Sequence, residues 1–204
     1  MTTLAKFTIS GNAGLLEGII QFPSVTPGAI VVVAHPLPTM GGTMENKVVT
    51  TLAKTFVELG FVALRFNFRG VGGSEGAFDE GRGEVEDVLA VVSYARERYG
   101  NLPLVLAGFS FGAYVQACAA QQYRAQLMVL LAPAVGRFAM PPVPQNTLVI
   151  HGDLDEVVLL ADVLLWARPQ QLPVVVLPGA GHFFHGRLNQ IRQIVQQYFT
   201  ALQL

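Results

Sequence analysis

Apolar residues along the chain fall into two alternating patterns. Short β-branched blocks alternate with longer stretches in which apolar positions recur every three to four residues. Leu4 to Ile9 and Leu15 to Gln21 read as two strands around the turn Ser10-Gly11-Asn12-Ala13-Gly14, and so as a hairpin. Ile30 to His35 is a continuous apolar run of the kind found in a strand buried on both faces. Thr43 to Leu59 follows as a helix. Val48, Val49, Leu52, Ala53, Phe56 and Val57 share one face of it, and Gly60 suits its C-terminal cap. Phe61 to Phe66 is the next strand, and a Gly-rich loop runs from Asn67 to Gly83. A second helix spans Glu84 to Tyr99, with Val85, Val88, Leu89 and Val92 on its buried stripe. The alternation continues as strand Leu104–Phe109, helix Phe111–Gln122, strands Leu127–Ala132 and Thr147–His151, and helix Val157–Ala167. Strand Val174–Leu177 and a final helix from His185 to Leu202 complete it.

Strands alternating with helices predict an α/β fold: a mostly parallel sheet covered on both faces, with an antiparallel hairpin at its start. The crossovers should be right-handed. Ligands of such sheets bind beyond the carboxyl ends of the strands. All four histidines, His35, His151, His182 and His185, lie at or just after predicted strand ends.

Composition narrows the class. With 204 residues the chain suits one domain spanning 1–204 and is short for two. Hydrophobic residues make up 51% and charged residues 13%, which excludes a disordered chain. The net charge of −1 and the lack of a basic stripe give no electrostatic case for nucleic acid. A mean hydropathy of +0.45 raises the question of a membrane. The apolar runs, such as Ala29 to Ala34, are far shorter than the roughly 20 residues a spanning helix needs. The opening MTTLAKFTIS lacks a signal-peptide core, so a mature chain starting near Met1 in the cytoplasm is expected. The one cysteine, Cys118, reads as core rather than redox-active.

The sharpest motif is Gly108-Phe109-Ser110-Phe111-Gly112, a G-x-S-x-G stretch between a strand and a helix. Such a serine sits on a tight turn in strained dihedrals, and small residues two before and two after let the turn close. The turn exposes the hydroxyl and aims the N-terminus of the next helix at it. The plainer reading of the same residues is a βα turn with serine as a cap.

With this motif the chain resembles the α/β-hydrolase superfamily, over nearly its whole length. It is most similar to small cap-less members carrying H-P-x-P-x-x-G-G-T-M after an early strand. That stretch reads His35-Pro36-Leu37-Pro38-Thr39-Met40-Gly41-Gly42-Thr43-Met44 here, and an N-F-R-G-x-G-x-S-x-G stretch runs from Asn67 to Gly76. The resemblance implies a serine hydrolase with Ser110 as nucleophile and the chain order Ser, Asp, His. His182, in the loop after the last strand, is the implied general base, with His185 its competitor. His151-Gly152-Asp153-Leu154-Asp155-Glu156-Val157-Val158 matches H-G-x-x-D-x-x-V, which makes Asp155 the implied acid. Asp153 competes in the same loop, Glu156 reads as a helix start, and His151 as a brace.

An oxyanion hole needs two N–H donors. Phe111, directly after the nucleophile, supplies one. The other should come from the loop after strand Ile30–His35, where Pro36 and Pro38 have no N–H and Leu37 is left. Residues expected to line the pocket are Met40, Phe109, Phe183 and Phe184, with Phe78 and Phe138 near its mouth. Pro133 to Gln145 is too short to hold a lid. No Arg or Lys reads as a carboxylate or phosphate ligand, and Arg69 and Arg82 read as structural.

No cofactor is expected. The Gly-rich loop lacks G-x-x-x-x-G-K-[ST], and the histidines show no metal-ligand spacing. The expected partner is an uncharged small-molecule acyl substrate, cleaved at an ester-like bond through an acyl-enzyme. Peptidase, thioesterase and acyltransferase activities share the same triad. A non-catalytic binding protein of the same fold is the rival from another class.

Overall fold

The computed structural model describes residues 3–123, 125 and 127–202, so Met1 lies outside the described residues. Among the described residues, eight strands form one sheet in the order β1-β2-β4-β3-β5-β6-β7-β8. They are β1 Thr3–Gly11, β2 Gly14–Phe22, β3 Ala29–Ala34, β4 Phe61–Phe66, β5 Leu104–Phe109, β6 Leu127–Leu131, β7 Thr147–Gly152 and β8 Val174–Leu177. β1 pairs antiparallel with β2, and β2 with β4; the remaining neighbours are parallel. Every residue of β3, β4, β5 and β7 is buried, as expected of strands covered on both faces, and this includes Arg65 of β4 and Thr147 and His151 of β7.

Five α-helices among the described residues cover the sheet: α1 Lys47–Glu58, α2 Arg82–Tyr99, α3 Phe111–Tyr123, α4 Leu160–Ala167 and α5 Leu188–Leu202. The inward stripes of α2, α3 and α4 share one core cluster with alternate strand residues such as Ile30, Val32 and Leu106. Those of α1 and α5 share the other, with Val31, Val33 and Val105. The six apolar positions read as one face of α1 are all buried. β3 has β4 on one side and β5 on the other, so the chain reverses its direction of travel across the sheet there. The loops after β3 and β5 therefore diverge around a crevice, where ligands of open α/β sheets bind. No helix among the described residues is long and apolar enough to cross a membrane.

Four helices start elsewhere than the apolar pattern predicts, each for a local reason. α1 starts at Lys47 rather than Thr43, because the Asn46 side chain accepts the Val48 N–H at 2.9 Å and caps it there. α2 starts at Arg82 rather than Glu84. Glu84 is instead its third residue, reaching back to accept the N–H groups of Asp79 and Gly81 at 2.9 and 2.8 Å. α4 starts at Leu160 rather than Val157, since Asp155 Oδ1 takes the N–H groups of Val157 and Val158. Glu156 thus precedes the helix rather than opening it. α5 starts at Leu188 rather than His185, because Phe184 and Gly186 both turn through positive φ.

Candidate active site

Ser110 ends the turn from β5 into α3 with φ 56°, a left-handed conformation that costs a serine about 1 kcal/mol or more. The turn closes because its flanks are glycines. A Cβ at Gly108 would sit 2.4 Å from the Gly112 carbonyl oxygen. One at Gly112 would sit 2.4 Å from the carbonyl oxygen of Ala34, at the end of β3. The glycines thus press the elbow against the neighbouring strand, and the Ser110 N–H donates to the Leu131 carbonyl at 2.9 Å.

Loops after three different strands converge on one chain of contacts. His182 Nε2 lies 3.0 Å from Ser110 Oγ, and His182 Nδ1 lies 2.8 Å from Asp155 Oδ2. The other Asp155 oxygen accepts the Val157 and Val158 N–H groups at 2.9 and 2.8 Å, which fixes the carboxylate plane. Burial alone raises the Asp155 carboxyl. The hydrogen bonds from His182, Val158 and Val157 outweigh it and hold the group below its ordinary value, ionised at neutral pH. His151 Nε2 donates to the Val158 carbonyl at 2.9 Å and lies 3.5 Å from Asp155 Oδ2. Burial lowers the affinity of His151 for a proton, so it braces the acid loop as a neutral ring. The two competitors lie elsewhere: Asp153 accepts the Gly179 N–H at 2.6 Å, and His185 is exposed.

The loop after β3 is held by a third histidine. The fully buried His35 ring lies with Nδ1 2.7 Å from the Pro36 carbonyl oxygen, while Nε2 accepts the Phe68 N–H at 3.1 Å. Both nitrogens are satisfied only in the neutral Nδ1–H tautomer. Burial pushes this imidazole down to about 4 against the opposing effect of the Pro36 hydrogen bond. In the unfolded chain it titrates near 6.5. The His35 contribution to folding stability therefore falls as pH drops from 6.5 through 4, where the unfolded state binds the proton first, and levels off below. A shift of this size corresponds to about 3 kcal/mol. Denaturant unfolding between pH 7 and 4 should show this loss in the wild type and a flatter profile in His35→Gln.

The N-F-R-G stretch braces the same region. Asn67 Oδ1 accepts the Met44 N–H at 2.8 Å, and its amide donates to Glu17 at 2.7 Å. Arg69 pairs with buried Asp87 at 2.8 Å, and Arg82 pairs with Asp79 at 2.9 Å, so both arginines are structural.

Above Ser110 lies an open cleft of about 220 Å³. Leu37, Met40, Phe111, Phe138 and Phe183 give it an apolar lining around Ser110 and His182. Two expected lining residues are corrected. Phe109 and Phe184 are fully buried in the core beneath the site. Phe109 belongs to a strand covered on both faces and supports the His182 ring at 5.2 Å, and the positive φ of Phe184 turns it inward while Phe183 stays half-exposed. Phe78 packs on Phe111 and lines an adjoining groove. Sequence reading missed Asn46, Ala134, Val157 and Arg137 as lining residues; Arg137, in the short stretch after β6, borders both the cleft and that groove. Only its proximity in the fold reveals it, since no motif surrounds it. Among the described residues no three His, Cys, Asp or Glu side chains converge as a metal site.

Residues 26–153 match the family model of the serine aminopeptidases, S33. The chain is 39% identical to a serine hydrolase without a lid from Xanthomonas campestris. That match covers 99% of this chain and 96% of the other, with a TM-score of 0.94. It is 41% identical to a serine hydrolase homologue from Coxiella burnetii, over 97% of each chain, with a TM-score of 0.86. An uncharacterised protein of Rickettsia prowazekii is 30% identical over 98% of this chain and 90% of its own length. The chain belongs to the serine aminopeptidase S33 family and is an α/β serine hydrolase without a lid.

Proposed function

We propose that the protein is a carboxylesterase-type serine hydrolase, its catalytic triad Ser110, His182 and Asp155. The observation that carries this reading is His182 bridging Ser110 Oγ and Asp155 Oδ2 under an apolar cleft. Neutral His182 takes the proton as Ser110 Oγ attacks the ester carbonyl, then gives it to the leaving alcohol. Asp155 holds the tautomer that keeps Nε2 free to accept, and it stabilises the imidazolium. Water, activated by the same histidine, then releases the acid from the acyl-enzyme.

The developing oxyanion is assigned to the N–H groups of Leu37 and Phe111. Both residues line the cleft beside Ser110, and neither N–H meets a chain acceptor among the described residues. The Leu37 N–H belongs to the same peptide as the Pro36 carbonyl held by His35. In a trans peptide these two groups point in opposite directions, so anchoring the carbonyl inward aims the N–H outward. Gly42 lets the loop fold onto this peptide, since a Cβ there would sit 2.0 Å from the Pro36 oxygen. Leu37→Pro removes this donor and should lower kcat by about 10²–10³. Unchanged turnover in this variant would overturn the assignment.

Ester cleavage is favoured over aminopeptidase action by the charges at the site. A substrate's free amino group calls for a carboxylate partner. Among the described residues that line the cleft there is no Asp or Glu, and the one permanently charged side chain is Arg137. The test is a fluorophosphonate probe followed by peptide mass spectrometry. Labelling confined to Ser110 and absent from Ser110→Ala supports the reading. A folded protein that resists the probe would sink it.

A further inference from the structure

We infer that Arg137 makes this cleft selective for acyl substrates bearing an anionic group, a carboxylate above all, away from the scissile bond. The inference rests on the serine hydrolase reading and names the substrate class of that site.

Arg137 sits in the turn that follows β6, where the Arg137 and Phe138 N–H groups both donate to the Ala134 carbonyl. Its side chain is anchored at one atom, Nε, which donates to the Val157 carbonyl at 3.2 Å. Val157 is the residue whose own N–H holds Asp155 Oδ1, so the guanidinium is referenced to the acid loop of the triad. Its two Nη groups make no hydrogen bond, and Arg137 makes no ion pair, among the described residues. The other arginines of the motif region, Arg65, Arg69 and Arg82, are each paired with a carboxylate.

Position adds to this. Arg137 borders the cleft that holds Ser110 and His182, and also the adjoining groove lined by Leu37, Thr39, Phe78 and Phe138. Glu80 also lines that groove, its one acidic residue among those described, and makes no ion pair with Arg137. A guanidinium anchored through Nε, with both Nη groups unpaired among the described residues, keeps the donors that can bind a carboxylate in bidentate fashion. Arg137 is itself exposed, so the pairing adds a solvent-screened attraction to the apolar contacts of the cleft. The ligand chemistry that fits is an apolar chain or ring with an ester at one point and a carboxylate at another.

The test uses alkyl fluorophosphonates ending in a carboxylate, in a short series of chain lengths. Each is paired with the neutral probe in which a primary amide replaces the carboxylate. In labelling, Ser110 Oγ bonds to phosphorus, fluoride leaves, and the hydroxyl proton passes to His182. The readout is the ratio of labelling rates, anionic over neutral, at the best chain length. The expected ratio is about two- to fivefold in the wild type, the size of an exposed ion pair. It should fall to near one in Arg137→Gln and below one in Arg137→Glu. A wild-type ratio near one at every length overturns the proposal while leaving the hydrolase reading intact. A ratio indifferent to both substitutions does the same and reduces Arg137 to a brace for the acid loop. Failure of every probe to label Ser110 fells the hydrolase reading, and this inference with it.

Discussion

On the proposed function, Ser110→Ala is expected to lower kcat for ester hydrolysis by about 10⁶-fold, the scale seen when a protease triad loses its nucleophile. Ser110 Oγ is the atom at 3.0 Å from His182 Nε2, and Ala leaves that nitrogen facing an empty position. On the proposed assignment the binding cleft and the Leu37 and Phe111 donors survive and would still polarise a carbonyl for water. The fold should be indifferent to the change. The left-handed φ of 56° strains Ala as it strains Ser, and the Ser110 N–H bond to Leu131 is a backbone bond. Steady-state kinetics with an activated ester, alongside circular dichroism and a melting curve, separates the two. A loss of less than about tenfold with an unchanged fold would remove Ser110 from the chemistry.

Asp155→Asn lowers kcat by about 10⁴-fold, the loss that follows from the wrong histidine tautomer in a protease triad. The direction follows from the contacts. The Val157 and Val158 N–H groups both donate to Asp155 Oδ1, so an Asn must place its carbonyl oxygen there. Its amide NH₂ then faces His182 Nδ1 and donates to it. The ring must accept at Nδ1 and carry its proton on Nε2, opposite Ser110 Oγ. A histidine in that tautomer cannot take the serine proton. Asp153→Asn, in the same loop, keeps the oxygen that accepts the Gly179 N–H and should turn over as the wild type does. If Asp153→Asn shows the large loss and Asp155→Asn the small one, the acid has been misassigned.

Much of this architecture was legible in the apolar pattern because the sheet is covered on both faces. Strands such as Val31 to Ala34 then read as unbroken runs, and the helices read as stripes. The Ser-Asp-His constellation was legible because each member follows a strand, and all carboxyl ends of parallel strands lie at one side of a sheet. Side-chain direction in the loops was not legible. Phe183 and Phe184 are adjacent in sequence, yet one borders the cleft and the other is core, and a single positive φ decides between them. Helix starts were misjudged where a side chain of the preceding loop captured the first N–H groups, as Asn46 and Asp155 do. Arg137 was illegible for a different reason. Nothing local marks an arginine whose importance lies in reaching a loop 20 residues away.

The short connection between β6 and β7 leaves the cleft with no cover of its own. In an enzyme with a lid, closure decides which second nucleophile meets the acyl group. Here the acyl-enzyme would stand open to the bulk solution, and its fate becomes a matter of kinetic partitioning. Water competes at its full concentration with any alcohol, thiol or amine present. Hydrolysis and transfer are then two exits from one intermediate, weighted by the composition of the medium rather than by a gate in the protein.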